Sequence, residues 1–430
     1  MRRLAILAAL FAVAQPNAIR QFLDNKEDGG ELYAVLVAGA PDYTNLFSET
    51  NVCLVYHILR KHGVKDENII TFAEDLAVND SRSPWQGELR PRPDDPDVYQ
   101  GCKITYREKD LSIENFERVL LGNDTTGGPI LQSTSKDRVF MYHTSHGDDH
   151  IVQFGLDYLY TSKLQEILSS MQKNNKYKEL FYQVEACYSG SMFDDWLTPE
   201  YNILAFTAAS PTEEAIAICY AYNDDWFLIS GKYSCQMQHF MEQKDLTIHA
   251  LNEQYEYIKN NYDDSTVSRY GNLEIGREKT SAYEGAVVKD YGIIEPSSCE
   301  DYSISMQKAD LYSLKHGLTV AEANKDVNRV TELNKELEKL YNLRHNTNRK
   351  IKDFVKKVTA QDGFELKNRG RARLSELKCY EQLGRTFHKH CYPEQQMRIG
   401  KINYDKLYDL CHSNGTTEEL VRQLTMHCQN

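Results

Sequence analysis

A chain of 430 residues with 63 acidic and 50 basic side chains carries a formal net charge of −13. That length predicts two domains rather than one compact unit, and the acidic balance argues against nucleic acid or an anionic membrane as the main partner. The charge is uneven: Lys325 to Lys389 holds 17 Lys or Arg against 9 Asp or Glu, a local +8 that leaves −21 on the remainder.

The chain opens on a targeting pattern. Met1-Arg2-Arg3 is a positive start, Leu4 to Val13 a short apolar run, and Ala12-Val13-Ala14 a small-residue cleavage site, so residues 1–14 read as a signal peptide cut after Ala14. No later stretch is apolar for long enough to span a bilayer, which predicts a mature protein within the secretory or endolysosomal system. Sequons at Asn79, Asn123 and Asn414 fit that route.

An apolar run from Leu32 to Ala38 then ends at Gly39, and Val52, Val55, Ile58 and Leu59 recur at helical spacing before Gly63 closes the helix. A strand from Ile69 to Phe72 follows. Later come a helix around Phe116 to Leu121, a strand from Arg138, a helix from about Leu164 to Met171, a strand from Leu180, and a strand from Ile203 to Thr207. Strands alternating with helices predict an α/β fold, a mainly parallel sheet with helices on both faces and right-handed crossovers.

Two of these strands end in reactive residues. The run from Arg138 leads to His146-Gly147, and the run from Glu179 leads to Cys187-Tyr-Ser-Gly190. A free thiol is mostly protonated near neutral pH, so a hydrolytic cysteine needs an imidazole in reach to hold it as thiolate and later to protonate the leaving amine. Parallel strands ending at one sheet edge deliver two such side chains together, and the glycine after His146 lets backbone amides approach an oxyanion. No His or Cys cluster has metal-ligand spacing, and the chemistry calls for no metal and no cofactor.

After about residue 288 the character changes. Pro296-Ser-Ser-Cys-Glu-Asp reads as a loop. From Met306 onward helical periodicity dominates, with Leu333, Leu337, Leu340 and Leu343, then Ile351, Phe354, Val355 and Val358. The expected organisation is a catalytic domain over 15–288, a linker over 289–335 and a helical domain over 336–430. Four of the ten cysteines, Cys379, Cys391, Cys411 and Cys428, crowd the tail and predict two disulfides, for which three pairings exist. Cys53, Cys102, Cys219, Cys235 and Cys299 are buried thiols or partners for one another.

Val37-Ala-Gly39, Asp97-Val-Tyr-Gln-Gly101, His146-Gly147, Glu185-Ala-Cys187-x-Ser-Gly190, Thr207-Ala-Ala, Asp225-Trp226 and the terminal cysteine set together resemble the legumain family of asparaginyl endopeptidases of lysosomes and vacuoles. The resemblance covers nearly the whole mature chain, and the interval of 41 residues from His146 to Cys187 suits it. It implies a caspase-like catalytic domain made as a zymogen, with a helical prodomain over the active site and disulfides Cys379 to Cys411 and Cys391 to Cys428. It makes His146 the general base and acid, Cys187 the nucleophile, and the amides of Gly147 and Cys187 the oxyanion hole. The substrates are then peptides and proteins cut after Asn through a thioester, which an amine can also intercept in transpeptidation. Protein protease inhibitors and the chain's own prodomain are the further partners implied.

Departures accompany the likeness. Where the family has an Asn that orients the histidine, Pro41 aligns, followed by Asp42, which becomes the candidate orienter. The family's Arg-His pair in the substrate pocket aligns with Phe47-Ser48, while the pocket carboxylates match at Glu185 and Asp225. Losing a guanidinium while keeping two carboxylates favours a cation, so cleavage after Lys or Arg stands as the alternative to cleavage after Asn. A silent peptide-binding relative and the related lipid-anchor transamidase are the rival classes. The charge split adds a switch: acid neutralises the carboxylates facing the +8 segment, and cleavage at Asn324, with Asn328 and Asn334 behind it, makes release permanent.

Overall fold

A computed structural model describes residues 30–41, 45–80, 83, 85–91, 95–125, 127–222, 225–287, 299, 302–368, 370–392 and 404–429, with the backbone alone for 77, 220–222, 225–229 and 302. The signal-peptide reading, Asp42 and the boundary at 288 therefore lie outside the described residues, as does the side chain of Asp225.

The central sheet has seven strands: β1 (Leu32–Ala38), β2 (Ile69–Ala73), β3 (Tyr106–Arg107), β4 (Arg138–Thr144), β8 (Glu179–Glu185), β9 (Ile203–Thr207) and β12 (Ser268–Gly271). Their order is β12-β9-β8-β4-β1-β2-β3. All pairs are parallel except the antiparallel edge β12 with β9. The inner strands read as near-continuous apolar runs because helices cover both faces. Alternation sorts their residues: Ala34 and Leu36 join Phe140, Phe181 and Phe206 on one side, while Val35 and Val37 join Met141, Leu180 and Val184 on the other.

Helices α1 (Leu46–Lys61), α4 (Lys232–Gln243) and α5 (Leu251–Asn260) supply the first face, and α2 (Ile113–Leu121) and α3 (Thr161–Lys173) the second. In α2 the hydroxyl of Ser112 accepts from the Asn115 amide at 3.2 Å, and Gly122 ends the helix at φ 66°. Two small sheets complete the strands. One is the meander β5 (Gly147–Asp148), β6 (Ile151–Phe154) and β7 (Asp157–Tyr160); in the other, β10 (Ile216–Tyr222) runs antiparallel between β11 (Asp225–Gly231) and β13 (Tyr302–Ser305). The stretch read from sequence as a hinge thus contributes a strand to the body of the molecule.

Five helices follow: α6 (Ala309–Ala323), α7 (Val327–Thr359), α8 (Leu374–Cys391), α9 (Asp405–Cys411) and α10 (Thr417–Gln429). Disulfides join Cys379 to Cys411 and Cys391 to Cys428 in this tail, and Cys53 to Cys102 and Cys235 to Cys299 elsewhere, leaving Cys187 and Cys219 as buried thiols. No described helix is long and apolar enough to cross a membrane.

The tail docks on the β5–β7 meander. Ile151, Tyr158 and Tyr160 belong to one apolar cluster with Tyr380, Leu383, Phe387, Tyr404 and Tyr408. Gly384 lets α8 close on this surface, since a Cβ there would lie 2.0 Å from the Tyr160 hydroxyl. Polar contacts ring the cluster: Arg385 meets Asp157 at 3.0 Å, Ser162 donates to Glu381 at 2.6 Å, and Arg371 donates to the Asp195 carbonyl at 2.5 Å. The charge split predicts an electrostatic clamp. The contact instead has an aromatic centre with basic residues at its rim.

Candidate active site

His146 and Cys187 follow β4 and β8, which are adjacent and parallel with Thr144 opposite Glu185. The register continues past the strand ends, where the Ser145 amide donates to the Glu185 carbonyl at 3.0 Å. Both residues therefore emerge at the same carboxyl edge of the sheet. Gly147 permits this closeness: a Cβ on it would sit 2.3 Å from the Cys187 carbonyl oxygen, so no other residue fits without moving that backbone. Tyr188, just past the cysteine, takes the left-handed conformation at φ 56°, which turns the chain sharply beside Cys187.

Asn45 orients the histidine. Its side-chain oxygen lies 2.7 Å from His146 Nε2, and its amide nitrogen donates to the Pro41 carbonyl at 2.8 Å. A carboxamide oxygen only accepts, so Nε2 carries the proton and Nδ1 is left as the basic nitrogen. The alignment with Pro41 and Asp42 is thereby corrected: the acceptor sits four residues past Pro41, at the N-cap of α1, where its side chain serves the imidazole instead of capping the helix. An Asn before Leu46-Phe47-Ser48 at a predicted helix start is the signal that could have found it. Pro41 keeps a role through its carbonyl, which holds the Asn45 amide group.

Phe47 and Ser48 are both fully buried. The Phe47 ring meets the His146 imidazole edge to face at 5.9 Å, and Ser48 donates to the Thr144 carbonyl at 2.9 Å. An apolar wall thus stands where a guanidinium was expected by resemblance.

Glu185 lies wholly inside the protein. It accepts from Thr144 Oγ1 at 3.1 Å, Asn51 Nδ2 at 3.3 Å, the Ser234 amide at 3.0 Å and the Ser234 hydroxyl. Burial still outweighs these donors and pushes its carboxyl up to about 7. With four local donors it is a packed, internally satisfied group, so its expected role as half of an acidic pair awaiting a cation is not supported. Asn51 and Ser234, which hold it, were not singled out in the sequence. Asp225 begins β11.

The thiol is covered. Cys187 has no exposed surface, and Sγ accepts from the Ala215 amide at 3.2 Å. Burial raises its pKa strongly, and the charges of Glu214 and Asp148 push the same way, so this form holds a thiol rather than a thiolate. The cover is the linker. Strand β13 pairs with β10 with Ser305 opposite Ile216, the Met306 amide donates to the Ala215 carbonyl at 2.9 Å, and Gln307 Nε2 donates to the Gly147 carbonyl at 2.7 Å. Strand β13 adds to the edge of β10 as an extended peptide would, and the chain then leaves the extended form in a 3-10 turn over Met306–Lys308 that leads into α6.

The remaining candidates sit elsewhere. Asn324 lies in the exposed turn between α6 and α7, before Lys325 at φ 57°, and Asn328 and Asn334 are exposed on α7. Asn79, Asn123 and Asn414 are all exposed, although the Asn414 amide bridges the Glu365 amide and the Gly363 carbonyl. Cys235, His239 and Cys299 are clustered, but the two sulfurs are bonded to each other and offer no thiolate to a metal.

Residues 32–286 match the model of the peptidase C13 family. Over its length the chain is 28% identical to hemoglobinase of Schistosoma mansoni, covering 99% of this chain and 98% of that one. It is 30% identical to legumain of Bos taurus over 86% of both chains, and 28% identical to vacuolar-processing enzyme of Citrus sinensis over 93% and 85%. Among solved structures, caspase-1 of Spodoptera frugiperda aligns with 56% of this chain at a TM-score of 0.33 and 7% identity.

Proposed function

Because the chain belongs to the peptidase C13 family of legumain-type cysteine endopeptidases, we propose that the form described here is its self-inhibited zymogen and that the released enzyme cuts after Asn. His146 Nδ1 takes the proton of Cys187, and the thiolate attacks the scissile carbonyl while the amides of Gly147 and Cys187 stabilise the oxyanion. The imidazolium, steadied by Asn45, returns the proton to the leaving amine as the C–N bond breaks, which leaves a thioester. Water, deprotonated by the same imidazole, hydrolyses it; an incoming amine gives a transpeptidated product instead.

One observation carries this reading: the imidazole bonded to Asn45 and the buried thiol share one sheet edge beneath the chain's own β13 and Gln307. The likeness to the hemoglobinase extends through the tail, which supports a prodomain role for residues 336–430. Presence of Asn45 removes the main departure that favoured a silent relative. The four donors on Glu185 weaken the reading of cleavage after Lys or Arg, and Asn remains the family's expectation despite Phe47.

Peptide-library profiling of acid-processed protein beside a Cys187→Ala control tests the proposal. Turnover led by Asn and absent from the control supports it; no turnover, with Cys187 unreactive to a thiol-directed probe, refutes the protease itself. Mass spectrometry after acid incubation is expected to find new C-termini at Asn324, and ends far from residues 300–335 would refute the processing step.

A further inference from the structure

The Ala215 amide donates to the Cys187 sulfur at 3.2 Å, and the segment that carries it is fastened on both sides. Before it, the Glu213 carbonyl accepts from the Tyr188 amide at 2.7 Å, and the Glu213 carboxylate is held by the Thr266 amide at 3.2 Å and the Thr266 hydroxyl at 3.1 Å. After it, the Ile216 amide donates to the Tyr262 hydroxyl at 3.0 Å. Tyr262 is itself buried, in one apolar cluster with Cys187, Ala215 and Tyr233. Consecutive amides thus serve the sulfur and the phenol that fixes the segment. The linker uses a different group of Ala215, reaching its carbonyl through the Met306 amide. Departure of the linker therefore frees that carbonyl and leaves the donor and its anchors in place.

We infer that the Ala215 main-chain amide is a catalytic group of the peptidase, a fixed donor to the Cys187 thiolate, and that Tyr262 is the residue that positions it. The inference rests on the protease reading above and deepens it. A buried thiol resists ionisation because water cannot solvate the charge, and an N–H aimed at the sulfur replaces part of that solvation. Burial raises the Cys187 thiol most strongly, and the Ala215 amide is the largest influence acting against it. The donor needs no reorganisation when the charge appears, since Tyr262, Thr266 and the Tyr188 amide have already set its direction. It acts twice in a turnover: when His146 takes the proton from sulfur before attack, and when the thioester C–S bond breaks and its electron pair returns to sulfur. Tyr262 works on the sulfur only through this peptide segment, as a positioning residue.

The experiment follows alkylation by chloroacetamide against pH in acid-processed enzyme, read by mass spectrometry on the peptide that bears Cys187, beside kcat/KM on an Asn peptide. Tyr262→Phe keeps the ring and removes only the hydroxyl. It is expected to move the acid limb of the alkylation profile up by about half a unit to one unit, so that the rate on that limb and kcat/KM both fall about 3- to 10-fold. Thr266→Val, which keeps the main-chain bond to Glu213, is expected to move the limb by less, and Ala215→Pro, which deletes the donor, by more. A packing role alone would lower Tm and leave the limb where it is. An acid limb unmoved in Tyr262→Phe overturns the inference, whether or not Ala215→Pro folds, and leaves the protease intact. A parent enzyme without turnover and with an unreactive Cys187 overturns both.

Discussion

The catalytic core and the docked tail answer acid in opposite directions. In the core, burial pushes the carboxyls of Glu185 to about 7 and Glu284 to about 8. Each binds its proton more tightly folded than unfolded, so its contribution is present at low pH and is lost as pH rises through these values. Burial also lowers His62 and His143 to about 4, which opposes the trend once pH drops below their ordinary range near 6.5. The core is therefore firmest in mild acid.

The tail carries the other sign. His388 sits between Tyr158 of the meander and Tyr404, at 5.0 and 5.3 Å, with no hydrogen-bond partner for either ring nitrogen among the described residues. Burial and the neighbouring Arg385 pull it down to about 3. Docking is intact above about 6.5 and weakens as pH falls toward 3, by up to roughly 1.4 kcal/mol for each unit. Glu376, held low by its bonds to Arg373 despite partial burial, loses stability over its own acid range in the same direction. On the zymogen reading proposed above, one acidification loosens the tail while leaving the catalytic domain beneath it sound.

The contrast can be tested without self-cutting in Cys187→Ala, whose turnover is expected to fall by at least about a thousandfold. Residual cleavage near the parent rate would mean that another nucleophile works. Asn45→Ala sharpens the core side: a misdirected imidazole is expected to cost about 10- to 100-fold in kcat/KM, and an unchanged value would reduce Asn45 to a packing role. On the Cys187→Ala background, His388→Phe should lower the pH at which α8 amides begin to exchange with solvent by about one unit. Exchange that starts at the same pH would assign the acid response elsewhere. Glu284→Gln should shrink the difference in Tm between pH 5 and pH 7.5 by about 2–4 °C, and an unaltered difference would remove that carboxyl from the core's response.

Much of this was legible because it is local. Apolar runs of strand length alternating with helical periodicity gave the parallel sheet, and strand-then-turn contexts pointed to His146 and Cys187, which follow adjacent strands at one sheet edge. What stayed hidden depends on partners far away in the chain. Asn45 was displaced by a four-residue offset that only the distance to His146 corrects. Glu185 looked like a lone pocket acid because Asn51 and Ser234, which satisfy it, are 134 residues before it and 49 after. Strand β13 was read as hinge, since four residues of alternating Tyr, Ser and Ile carry little pattern until β10 lies beside them. The aromatic dock of the tail was overshadowed by its charge.

The Cys235–Cys299 bridge ties the start of the linker to α4. A cut at Asn324 leaves the linker attached through its backbone, and a cut before Cys299 leaves it attached through sulfur. Scission at either place clears nothing by itself: β13 and Gln307 become a leashed competitor at an effective concentration in the millimolar range, which each substrate must displace and which returns when the substrate leaves. On the zymogen reading proposed above, full opening takes both cuts and a reductant, and the thiol content of the surrounding fluid then joins acidity in setting how much of the enzyme is available.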